Sequence, residues 1–85
     1  MKVIKVDIGK QCGYDAAMAA ALKAAEAELS DAMLVSWKNN LTGESSPNVD
    51  ACGVSDLEGW EMYAESRGAT LRVEVNGGDY VFIFI

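Results

Sequence analysis

Eighty-five residues carrying 13 acidic and 7 basic side chains give a net charge of -6. The composition therefore lacks the basic face that nucleic acid or an anionic membrane requires. Histidine is absent, which removes Ser-His-Asp and Cys-His nucleophile systems and every zinc site built on imidazole.

A chain of this length is expected to form one domain, residues 1–85, burying only about 60% of its unfolded surface, so a partner subunit would help. Two cysteines do not make a secreted disulfide framework. No charged leader precedes a long apolar core, and no run approaches the ~20 apolar residues of a spanning helix. A cytoplasmic location is expected, and no cofactor is implied.

Residues 2–8 read as a strand. Ile4, Val6 and Ile8 alternate onto one face, and Val3, Lys5 and Asp7 take the other. Gly9 and Gly13 bracket a tight connection that holds Cys12. An alanine-packed helix is then predicted from about Asp15 to Ser30 or Asp31, with Asp15 as its cap. Its apolar stripe is Met18, Leu22, Ala25, Leu29 and later Met33, and the surrounding alanines permit close approach to a sheet.

Residues 33–38 stand between helix and strand. The stripe would run on through Trp37, but Leu34-Val35 favours a strand, which is the reading adopted. The segment from Asn39 to Val54 contains Gly43, Pro47 and a serine pair and reads as a loop, long enough to suggest function or mobility. A second helix opens at the capping box Ser55-Asp56-Leu57-Glu58, buries Leu57, Trp60 and Ala64, and stops at Gly68. Glu58 and Glu61 read as a solvated face that matches the helix dipole rather than as a catalytic pair.

The chain then reads as a hairpin, Thr70–Val75 and Asp79–Ile85, around Asn76-Gly77-Gly78. A two-residue turn places Leu71, Val73 and Val75 beside Tyr80, Phe82 and Phe84. A three-residue turn with a bulge aligns them with Val81, Ile83 and Ile85 instead. Because the last strand is apolar on both faces, it should be central. The expected fold is an α/β (α+β) two-layer sandwich in the order β-α-β-α-β-β, with both helices on one sheet face. That arrangement leaves one face of the last strand open and predicts a homodimer through that face or the strand edge, the competing possibility being that Leu41 and Val49 of the 39–54 loop plug the face.

The leading functional reading is a small homodimeric domain with a binding or structural role through its apolar sheet face, and two sites offer chemistry as alternatives to it. Cys12-Gly13 and Cys52-Gly53 each precede a predicted helix start. A thiolate at a helix N-terminus is stabilised by the dipole, so Cys12 is a candidate nucleophile with Cys52 as its resolving thiol. No metal site is assigned. The run from Gly9 to Gly13 has an anion-nest look but lacks the spacing of either phosphate-binding fingerprint, and Asp15 would repel a phosphate. The alternative is a small-molecule pocket under the 39–54 loop, with polar contacts from Asn39, Ser45, Ser46 and Asn48.

The run QCGYDAAMAAALKAA, the Ser-Trp at Trp37, the Ser-Pro at Pro47, Cys52 and the closing GATLRVEV together resemble a small bacterial family of short proteins of unknown function. The resemblance spans nearly the whole chain. It implies a natural domain complete in itself, and no activity for either cysteine.

Overall fold

A computed structural model describes residues 2–9, 13–46 and 59–85. It shows a mixed α/β fold with five strands in one sheet, ordered β1-β4-β5-β2-β3. The elements are β1 (Lys2–Val6), α1 (Tyr14–Glu28), β2 (Leu34–Asn39), β3 (Glu44–Ser46), α2 (Gly59–Ser66), β4 (Leu71–Val75) and β5 (Tyr80–Phe84). The expected order stands, with one addition. Part of the predicted 39–54 loop is strand, because Thr42-Gly43 turns the chain and β3 pairs back on β2 as Asn39 opposite Glu44. Residues 47–54 of that segment lie outside the described residues.

The hairpin register follows from its loop length. Four residues, Asn76 to Asp79, separate the paired Val75 and Tyr80. An even loop keeps the parity of a two-residue turn, so Leu71, Val73 and Val75 share a face with Tyr80, Phe82 and Phe84. Asn76 enters the left-handed region at φ 53°, which asparagine tolerates better than other side chains. From there its Oδ1 accepts from the Ile8 N–H at 2.8 Å, and its Nδ2 donates to the Gly9 carbonyl at 2.6 Å. The hairpin thereby holds the exit of β1.

Alternation along β5 divides the helices between the two sides of the sheet. Ala17, Ala21 and Ala25 of α1, all fully buried, form a core with Leu71, Val73, Val75, Tyr80, Phe82 and Phe84. Trp60 and Ala64 of α2 pack against Val81 and Ile83, which project the other way from β5. The reason is the double apolarity of β5: both of its sides demand cover, and each helix supplies one. All five of its residues are buried, so the open face on which a dimer was expected is closed by α2. Leu41, the competing cover from the 39–54 loop, is 62% exposed, and Val49 lies outside the described residues.

The apolar line of α1 also differs from expectation. Alanines at spacings of four meet the sheet, while Met18, Leu22 and Leu29 flank them half-buried and Met33 is exposed. Gly13, not Asp15, is the cap. No side chain caps the helix, and Asp15 lies within its first turn. α2 is tied down by charge as well as burial. Arg72 on β4 donates to Glu61 and to Glu74, each at 3.0 Å, and lies over the Trp60 ring. Glu61 is thus a strut between helix and sheet rather than a freely solvated face. No helix among the described residues is long and apolar enough to cross a membrane.

Candidate functional site

β1 runs parallel to β4, and β5 is antiparallel to both β4 and β2. β1, β4 and β2 therefore share a direction, and their carboxyl ends meet at one edge of the sheet. Open α/β sheets characteristically bind ligands at that edge. α1 begins there, after the β1 exit held by Asn76.

Two rows of side chains on the α1 side build the site. Ile4, Val73, Phe82, Trp37 and Ser46 stand in register across all five strands. One step nearer the edge come Val6, Val75, Tyr80, Asn39 and Glu44, again in register. A bulge at Val35 brings Leu34 onto the same side as Trp37, three residues later, and so fits both into the α1 core.

Tyr14, the first residue of α1, drops its ring onto this surface. It lies 4.8 Å from the Trp37 ring at a tilt of 58°, and 5.7 Å from Phe82. These are the offset, tilted contacts that aromatic quadrupoles favour. Burial, and secondarily the Asp15 charge, push the Tyr14 hydroxyl above its ordinary pKa. At neutral pH it is a protonated donor.

The result is a cleft of about 300 Å³ lined by Tyr14, Trp37, Asn39 and Glu44. The Asn39 Oδ1 accepts from the Leu41 N–H at 3.0 Å, which fixes the carboxamide. Two other clefts are less suited to a ligand. The one between Lys5, Val6, Asp7, Asn76, Gly77 and Asp79 has its carboxamide spent on Ile8 and Gly9. The one between Met33, Leu34, Val35, Tyr63, Arg67 and Ile85 has its cation stacked 4.9 Å over the Tyr63 ring.

Of the residues singled out from the sequence, Cys12 and Cys52 lie outside the described residues, as do Asn48, Leu57 and Glu58. Asn39 lines the cleft. Ser46 is in register with Trp37, whereas Ser45 is in register with Lys38 and Val81 and so belongs to the α2 side. Tyr14, Trp37 and Glu44 were not legible as site residues. Trp37 entered only as a continuation of the apolar stripe, and nothing in the local pattern joins the first residue of a helix to a strand 23 positions on. Among the described residues no group of acidic or thiol side chains is arranged to hold a metal ion.

Comparison with known proteins agrees on relatives without a stated activity. A protein of Archaeoglobus fulgidus, described as uncharacterized, is 34% identical over 82 residues, which span 96% of this chain and 86% of that protein. The crystal structure of AF1514, from the same species, matches with a TM-score of 0.71 at 33% identity, covering 100% of this chain and 93% of that one. These relatives are archaeal, which corrects the bacterial resemblance read from the sequence. The family model described as a domain of unknown function, DUF5619, matches residues 1–84, and the chain belongs to that family.

Proposed function

We propose that this domain binds a small molecule in the cleft between the start of α1 and the β2–β3 hairpin. The observation that carries the reading is the convergence of two aromatic rings, a fixed carboxamide and a carboxylate on one cleft of about 300 Å³. That volume lies at the lower end of the range for ligand pockets, and an apolar lining with few oriented polar groups is their usual chemistry. Its place at the carboxyl ends of β1, β2 and β4 supports the same reading.

Backbone amide and indole chemical shifts, recorded against mixtures of small metabolites, test it. The expected result is perturbation centred on Tyr14, Trp37, Asn39 and Glu44. Shifts centred on the Lys5–Asp79 or Tyr63–Ile85 clefts, or no shifts at millimolar concentrations, would overturn it.

A further inference from the structure

Among the described residues, the charge in the cleft has one sign. Of the four that line it, only Glu44 carries a formal charge. Lys38, the neighbour of both Trp37 and Asn39, is in register with Val81 and Glu74 on the α2 side of the sheet. The N-terminus of α1 would by itself favour an anion, but its first turn carries Asp15. The net charge of -6 extends the same bias over the whole molecule.

The rings add a second preference. Tyr14 and Trp37 meet at 58°, forming a corner instead of a flat stack. Aromatic rings attract a cation through their π faces, and they reward one with an apolar coat. Glu44 stands exposed on β3, directly opposite Asn39, and supplies a single point charge. A compact ammonium matches it without needing paired acceptors.

We propose that the cleft takes a small organic cation, an alkylated ammonium compound, with the Tyr14–Trp37 corner against its alkyl groups and Glu44 as counter-charge. The proposal rests on the cleft reading above and names the class of ligand for it.

Choline and its neutral carbon isostere 3,3-dimethylbutan-1-ol form the discriminating pair, titrated by amide and indole chemical shifts. Choline is expected to move Tyr14, the Trp37 indole, Asn39 and Glu44, with the isostere about tenfold weaker. Glu44→Gln, an exposed change that leaves the core untouched, should weaken choline about threefold and the isostere not at all. Equal binding of the two compounds would overturn the cation proposal while upholding the cleft. Binding there by neutral or anionic metabolites, but not by choline, would do the same. Silence of these residues towards every compound would overturn both.

Discussion

At the scale of single residues, the contact between α1 and the sheet depends on side chains being small. Ala17, Ala21 and Ala25 are completely buried, and each sits where a longer side chain would push the helix away from β4 and β5. Ala21→Leu is expected to destabilise the fold by about 1–3 kcal/mol, the cost of overpacking a closed site. Ala19→Leu, on the exposed side of the same helix, should stay within about 0.5 kcal/mol of the parent. Urea denaturation of the two variants checks this, and equal midpoints would show that the helix floats on its contact. The same closeness lets Tyr14 reach the Trp37 ring, so Ala21→Leu should also disturb the cleft.

At the scale of elements, α2 shows how a short helix is kept in place. It ends in a glycine-terminated motif. The Gly68 N–H donates to the Glu65 carbonyl at 3.0 Å and the Ala69 N–H to the Ala64 carbonyl at 3.1 Å, the pair of bonds that closes a helix through a left-handed residue. Gly68 has φ 77°, and a Cβ built there would meet nothing within 4 Å. Backbone conformation alone therefore sets the cost of substitution. Gly68→Ala is expected to lose about 1 kcal/mol, and Gly68→Asn less, since asparagine tolerates this region. Thermal melts should rank the parent first, Asn second and Ala third. An alanine variant as stable as the parent would refute the argument. This terminus was legible because Arg67-Gly68 follows a helical apolar pattern and the bonds are local.

At the scale of the whole molecule, the decisive strand is β5. It has neighbours on both edges and helices on both sides, and Val81 and Ile83 are 2% and 1% exposed. A charge placed at Ile83 would be buried between β5 and α2 opposite Arg72, which already occupies Glu61 and Glu74, and that costs several kcal/mol. Ile83→Lys is therefore expected to unfold the chain at every concentration. Circular dichroism and sedimentation of the variant check this together. A folded variant of lower mass than the parent would instead show that Ile83 faces a second copy. An apolar last strand needs cover on both faces, and α2 supplies at Val81 and Ile83 the cover that the sequence alone assigns to a second chain.

What the sequence determined by itself is whatever short-range chemistry controls. The alternation of residues 2–8 and of the closing hairpin, the alanine-rich α1, the stop at Gly68 and the central place of the last strand all come from propensity and period. The strand at 34–39 also came out on the side that Leu34-Val35 favoured. The tertiary structure alone decided the layering, because which side of β5 a helix covers depends on how the connecting chain crosses the sheet. It decided the hairpin register through a four-residue loop, where the sequence offers two- and three-residue turns. It also made the candidate site. Tyr14, Trp37 and Glu44 come from three elements, and their meeting needs the bulge at Val35, the β2–β3 turn and the close seating of α1 at once. No periodicity records a contact between side chains whose separation in the chain is bridged only by the fold.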